Sequence, residues 1–544
     1  MRVDSVRAMS NWEIAAFIAL TGVVAVAVGW FGWAWLRLAP RGASLVGYLA
    51  ASFLVAFATA SWLGRWALLW RMRLPRYLEP DPDLRVAVVT TFVAEGEPLP
   101  MLEQSVRAMV AIRYPHDTWV LDESDSPEVK KLCERLGALH FSRRTMPQYR
   151  TDDGTFQSGS KHGNYNAWLA WVQDRYDIVT AFDPDHVPEV TFLDRVLGYF
   201  RDARVGFVQA PQVYYNQRVS LVARGAAEET YDYYSAHQMA SYGIGQTILV
   251  GSHSTQRMAA LRSVGGFAAH DADDLLITVR YRAQGWEGVF VPEILALGLT
   301  PVGWYPYLRQ QVRWTRSVID LKLRKLPGLL GRLSPANQFL SLFHGAHYLR
   351  PLVLPFGYAL LVITILRGSA PSFLALPALA AVAGLAATLG VVGLFRQRFY
   401  FDPKREGGVP WRSMLLQLVK WPYQWLAVWR ALVGAPAPYA LTMKVSAEGR
   451  RVVLWPHALV AVGMAAVLAI GFRLHGRLEP SIVALALALI AVSMVIVLAE
   501  WVESPPPWAP RVYEDRRAEM ADRLGPPQWP SVERRRVQRV RVPA

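Results

Sequence analysis

The chain has 544 residues, of which 53% are apolar and only 19% charged, with a formal net charge of +15. So apolar a chain buries ample surface, which excludes disorder, and its length and apolar share together exclude a protein soluble throughout. Cys133 is its single cysteine, so no intrachain disulfide framework exists.

In chain order, residues 14–36 and 45–64 are the first two uncharged apolar runs. Each is close to the roughly 20 residues that cross a bilayer core. The first is too long for a signal-peptide core and is followed at once by the second, so no cleavage is expected. Two further pairs, 351–366 (extended back to about 346) with 371–395 and 452–472 with 480–499, bring the expected number of spans to six. Basic residues cluster beside alternate ends: Arg71, Arg73 and Arg76 after the second span, Arg396, Arg398, Lys404 and Arg405 after the fourth, and Lys444, Arg450 and Arg451 before the fifth. The positive-inside rule then places both termini and the large insert in the cytoplasm of an inner-membrane protein. Cations beside apolar runs point to lipid, and no nucleic-acid partner is expected.

The expected domains are two N-terminal spans in residues 1–70, a soluble insert over 71–333, four spans in 334–502 and a basic tail over 503–544. In the insert, apolar β-branched runs alternate with helical stretches: 85–93, 99–112, 118–121, 127–136, then 178–182 and 206–209. This alternation predicts a mostly parallel, three-layer α/β sheet whose ligands sit at the carboxyl ends of the strands. No Gly-rich fingerprint follows the first strand, which argues against a dinucleotide cofactor. Further on, Trp411, Leu415, Leu418, Pro422, Trp425, Trp429 and Leu432 recur at spacings of three and four, with Arg412, Lys420 and Arg430 off the stripe. Residues 411–433 are therefore expected to form an amphipathic helix lying along the cytoplasmic leaflet.

Five motifs carry chemistry. The stretch VTAFDPD, residues 179–185, is an apolar strand ending in Asp183 and Asp185, two hard oxygen donors suited to Mg2+ or Mn2+, with His186 adjacent. A second strand ends at Asp122, and Ser126 is placed to cap the helix beginning at Pro127. Lys161 opens a helix, adding positive charge where the backbone already favours anions such as a diphosphate. Asp271, Asp273 and Asp274 precede an apolar helix; one of them, held near other carboxylates, would have a raised pKa and accept a proton. Gln310, Arg313 and Trp314 share one helix face, a patch fitted to phosphate oxygens and to stacking on a sugar. Taken singly, each motif also has a purely structural use as a turn, a cap or an interfacial anchor.

In this order and beside membrane spans, the series resembles the processive family-2 glycosyltransferases: cellulose synthases, hyaluronan synthases and chitin synthases. The resemblance covers residues 85–314 and the arrangement of spans. It implies a Rossmann-like α/β domain of the nucleotide-diphospho-sugar transferase type, inserted in an α-helical polytopic membrane protein. VTTFVAEGEP, residues 89–98, is similar to the segment that cradles uracil, which brings in Thr91 and Glu95. By the resemblance, Asp122, Lys161, Asp183 and Arg313 bind the nucleotide sugar, and Asp183, Asp185 and His186 hold Mg2+ or Mn2+. Asp274 is the general base, chosen over Asp273 by its distance from Gly285-Trp286. Gln310, Trp314 and Gly251 border the acceptor. Ile248-Leu249-Val250-Gly251 stands where cellulose synthases carry Phe-Phe-Cys-Gly, a departure that bears on the product.

PYALTMK, residues 438–444, resembles a gating loop, placed at 436–451, with Thr442 and Lys444 as the matching positions. Arg535 and Arg539 match a cyclic-di-GMP motif, but too little chain follows to build its receptor barrel, and that regulation is not expected. The implied activity is an inverting, metal-dependent transfer that polymerises a UDP-sugar, UDP-glucose giving a β-glucan, and threads the growing polysaccharide through the lipid bilayer. Envelope export partners and a homo-oligomer are compatible with it. Competing readings are single-sugar transfer to a lipid or lipid phosphate, a hyaluronan- or chitin-type synthase using UDP-GlcNAc, and a non-enzymatic scaffold or exporter.

Overall fold

A computed structural model describes residues 3–38, 45–94, 96–345, 347–349, 353–369, 371–435 and 453–502. Glu95, the segment 436–451 with Thr442 and Lys444, and the tail from 503 lie outside the described residues.

The strands are β1 (Ser5–Arg7), β2 (Arg73–Pro75), β3 (Val86–Phe92), β4 (Asp117–Asp122), β5 (Leu139–Phe141), β6 (Ile178–Phe182), β7 (Val187–Pro188), β8 (Val205–Gln209), β9 (Val213–Tyr214), β10 (Ser254–Arg257), β11 (Glu287–Phe290) and β12 (Ala296–Gly298). Seven of them form the main sheet in the order β11-β8-β10-β6-β3-β4-β5. All neighbours run parallel except β10, which is antiparallel to both β6 and β8. The expected mostly parallel sheet is thus a mixed one, with a single reversed strand near its centre.

The period of two along β3 explains the layering. Ala87 and Val89 face the helix Lys161–Val172, whereas Val86 and Val88 face the opposite layer with Met109, Phe192 and Leu193. Fully buried side chains of this kind contribute about 1.5–3 kcal/mol each. β6 is buried at all five positions, so its carboxyl end presents Asp183 at the mouth of a rigid central strand. β10 is polar, reading Ser-Thr-Gln-Arg, yet it lies deep in the sheet. Its polar groups are satisfied there: Thr255 Oγ1 pairs with Thr180 Oγ1 at 3.0 Å, and the Tyr281 hydroxyl donates to Gln256 Oε1 at 2.7 Å.

Among the described residues, five helices are long and apolar enough to cross a membrane: Asn11–Leu36, Leu45–Arg71, Leu376–Phe399, Trp455–His475 and Pro480–Glu500. The remaining expected span is the helix Val353–Arg367, whose 15 residues reach only about 22 Å against a hydrocarbon core of about 30 Å. It passes only together with Pro335–Leu349, from which it is bent by 50°, and with that pair the number rises to six.

The expected amphipathic helix is Trp411–Leu432. Trp411, Trp429 and Leu432 of its apolar stripe are exposed, whereas Leu416, Val419, Lys420, Gln424, Ala427 and Ala431 on the other side are buried. The buried side is held by ion pairs. Lys420 Nζ meets Glu229 Oε1 at 2.8 Å and Gln311 Oε1 at 3.2 Å, and Arg412 Nη1 meets Glu228 Oε1 at 3.0 Å. A second charged junction ties the spans to the sheet domain. Asp232, at the end of the helix Leu221–Asp232, accepts from Arg396 Nε at 2.8 Å and from Arg65 Nη1 at 3.5 Å.

Candidate active site

The turn after β6 carries the first cluster. Asp183 leaves the strand with its backbone N–H donating to Ser252 Oγ at 3.0 Å, and Ser105 Oγ donates to the Pro184 carbonyl at 2.7 Å. The turn is thereby fixed from two other elements. Lys161 Nζ contacts Asp183 Oδ1 at 2.5 Å. Asp185 is buried, with Oδ2 accepting the Leu299 N–H at 3.2 Å and Oδ1 lying 3.2 Å from His186 Nδ1. His186 packs so closely on Gly298 that a Cβ there would fall 2.3 Å from its Nε2, a position only glycine fills.

The ligand atoms of Asp183, Asp185 and His186 lie within 4.8 Å of one another. Two carboxylates and an imidazole gathered this closely fit a divalent cation of the Mg2+ or Mn2+ kind.

Lys161 is the first residue of its helix, which is capped by Ser160 Oγ accepting the Gly163 N–H at 3.0 Å. The loop leading to it is organised by Arg143, which no sequence signal singled out. This fully buried guanidinium pairs with both oxygens of Glu123, at 2.8 and 2.9 Å, and donates to the carbonyls of Tyr149, Phe156 and Gln157. Three loop carbonyls gathered on one planar fork set the approach to Lys161.

Asp122 ends β4 beneath this loop with its side chain fully covered. Its oxygens accept the Ser124 N–H at 2.9 Å and the Ser126 N–H at 2.6 Å, and His140 Nε2 lies 3.3 Å away. The capping role expected of Ser126 is corrected here: its hydroxyl turns to Glu128 at 2.6 Å, and Asp122 holds the turn instead. Thr91 lies near the end of β3, paired in register with Leu121 beside the Asp122 end of β4.

Asp274 is the second residue of the helix Asp273–Ala283, and its Oδ1 accepts the Leu275 N–H at 2.7 Å. Burial pushes its carboxyl up to about 7, with the Asp273 charge adding to the rise; Lys161 opposes it and Asp183 reinforces it. Asp274 thus lies within the field of the Lys161–Asp183 pair. Gly251, at φ +76°, lies next to it, since a Cβ built there would stand 3.9 Å from Asp274 Oδ2. Burial also raises the phenol of Tyr233, which feels the Asp274 charge.

Gln310, Arg313 and Trp314 lie on the helix Trp304–Asp320, with Gln310 buried and the other two half-buried. The helix is braced from below by Lys420 on Gln311 and by Gln424 Nε2 donating to Thr315 at 3.2 Å. It reaches the Asp274 loop through Arg316, 3.6 Å from Asp271, and through Asp320, 3.2 Å from His270. The structure therefore joins Lys161, Asp183, Asp185 and His186 directly, sets Asp274 beside Gly251 in their field, and links the Gln310–Trp314 patch to them through its helix.

Residues 178–392 match the family profile described as Glycosyl transferase family group 2. The chain is 24% identical over 314 residues to a cellulose synthase catalytic subunit (UDP-forming) of Pseudomonas fluorescens, covering 55% of this chain and 41% of that protein. It is 26% identical over 300 residues to the corresponding subunit of Xanthomonas axonopodis pv. citri, covering 52% and 39%. The chain thus spans about two fifths of the length of these relatives.

Among solved structures, a mannosyltransferase of Pyrobaculum calidifontis in complex with GDP-Man and Mn2+ aligns over 78% of this chain and 99% of its own, at 18% identity and a TM-score of 0.45. Glucosyl-3-phosphoglycerate synthase of Mycobacterium tuberculosis aligns over 46% and 80%, at 16% identity and a TM-score of 0.29. The chain carries a region, residues 178–392, that matches the family-2 glycosyltransferases and lies beside long apolar helices, and the chain is similar in sequence to the cellulose synthase catalytic subunits.

Proposed function

We propose that the chain is a processive, inverting glycosyltransferase that polymerises a UDP-sugar, UDP-glucose giving a β-glucan, on the cytoplasmic face of the inner membrane. The observation that carries this reading is Asp274: a carboxyl with its pKa raised to about 7 beside Gly251 and in the field of the Lys161–Asp183 pair. A base poised near neutral pH is suited to take a proton from a sugar hydroxyl.

The reaction proposed is a direct displacement. The acceptor hydroxyl oxygen forms a bond to the anomeric carbon as the bond from that carbon to the diphosphate oxygen breaks. The electron pair leaves with UDP, the hydroxyl proton passes to Asp274, and an α-linked donor becomes a β-linked product. Lys161 and Arg313 bind phosphate oxygens, and Gln310 and Trp314 orient the acceptor sugar. When bound by Asp183, Asp185 and His186, Mg2+ or Mn2+ supplies charge neutralisation at the diphosphate.

Product sizing tests the proposal. Purified chain in lipid nanodiscs, given radiolabelled UDP-glucose, is expected to release UDP and to build a polymer. A lipid-soluble single-sugar adduct without polymer replaces it with single transfer. A panel of UDP-sugars in the same assay assigns the donor.

A further inference from the structure

We propose that His270 is a positioning residue that locks the loop bearing the base to the helix bearing the acceptor patch. The inference rests on the reading of Asp274 as base and deepens it. His270 lies on the loop before Asp274, with a side chain only 8% exposed. Its Nδ1 accepts the backbone N–H of Ala272 at 2.9 Å, and its Nε2 lies 3.2 Å from Asp320 Oδ2.

A backbone N–H can only donate, so Nδ1 carries no proton and the ring is the neutral tautomer with its proton on Nε2, directed at Asp320. The Ala272 peptide is held on both sides, because its carbonyl takes the first helical bond, from the Leu276 N–H at 3.0 Å. Ala272 is the N-cap of the helix on which Asp273 and Asp274 are the first two residues, and it has no side chain with which to cap. The imidazole supplies the missing acceptor for one of the amides otherwise left unpaired at a helix start.

The far end of the lock is the helix Trp304–Asp320, which carries Gln310, Arg313 and Trp314. A second tie, Arg316 to Asp271, runs in parallel at 3.6 Å, and Arg324 holds Asp320 from one turn beyond. His270 thus meets Asp320, which Arg324 also holds, while the adjacent Asp271 is tied to Arg316. Only histidine presents an acceptor and a donor at fixed separation on one rigid ring. Asparagine keeps an acceptor near the Nδ1 position, and glutamine keeps a donor near the Nε2 position. With neither bond replaced alone is the base held in register with the acceptor helix, and a displacement of about 1 Å at a reacting group costs up to about a hundredfold in rate.

The test uses the full chain in nanodiscs, with UDP release measured for whichever UDP-sugar the wild type turns over fastest. His270→Asn and His270→Gln are each expected to lower kcat about tenfold with the donor KM unchanged. Asp320→Ala should match them, and His270→Gln combined with Asp320→Ala should lose no more than either alone, because both remove one link. Unchanged kcat in His270→Gln and Asp320→Ala, a rise in KM alone, or multiplying losses in the double variant would overturn the lock. Where a histidine variant does not fold, Asp320→Ala decides by the same split. Asp274→Asn in the same assay separates the two readings. If it turns over like wild type, the base assignment fails and takes the lock with it. If it is inactive while the clasp variants are normal, only the lock falls. A wild-type chain that turns over no UDP-sugar removes both.

Discussion

Burial lifts the Asp274 carboxyl to about 7, and the neighbouring Asp273 and Asp183 charges add to the rise. A base works only when deprotonated. Activity limited by Asp274 should therefore rise with pH through about 7 and fall about tenfold per unit below it, read as UDP release across a pH series. Asp274→Asn should lose two or more orders of magnitude, and its residual rate should not follow that limb. Asp185→Ala should remove the response to titrated Mg2+ or Mn2+; activation that survives would relocate the metal. The sequence made these carboxylates legible because strand ends and hard donors follow simple rules. It could not reveal that Asp122 is spent on two backbone amides, nor that Arg143 gathers three carbonyls, since both depend on a loop folding back over distant residues.

Periodicity carried the elements further. β3, β4 and β6 lie where their β-branched runs predicted, and the helix Trp411–Leu432 within a residue of its expected ends. β10 escaped because a polar strand deep in a sheet has no alternation to detect; its stability comes from Thr180 and Tyr281, far away in sequence. The helix Trp411–Leu432 shows the converse. Its apolar stripe was visible, but the stripe is the outer side, and the helix is fastened by its polar side through Lys420 and Glu229. Lys420→Met leaves the Glu229 carboxylate, among the described residues, with Gln417 and Tyr307 alone in a nearly covered site. Removing one partner of such a pair costs about 3–5 kcal/mol. The variant should show faster proteolysis between this helix and the sheet domain, whereas Trp429→Ser on the outer stripe should instead weaken lipid attachment.

For the whole molecule, the apolar runs predicted the long apolar helices, except where one proved too short alone and stands next to a bent neighbour. What the runs could not show is how the spans meet the sheet domain. Asp232 takes guanidinium groups from two different membrane helices, Arg65 and Arg396, at one covered point. Asp232→Ala should strand Arg396 and lower stability by about 3–5 kcal/mol, measured as a drop in melting temperature in nanodiscs. A polymerase that pushes its product forward needs something to push against. If each sugar added here drives the chain one step outward, part of the recoil passes through that carboxylate into the apolar helices. Asp232 would then act as the thrust bearing of the machine, and weakening it should shorten the polymers before it slows the chemistry.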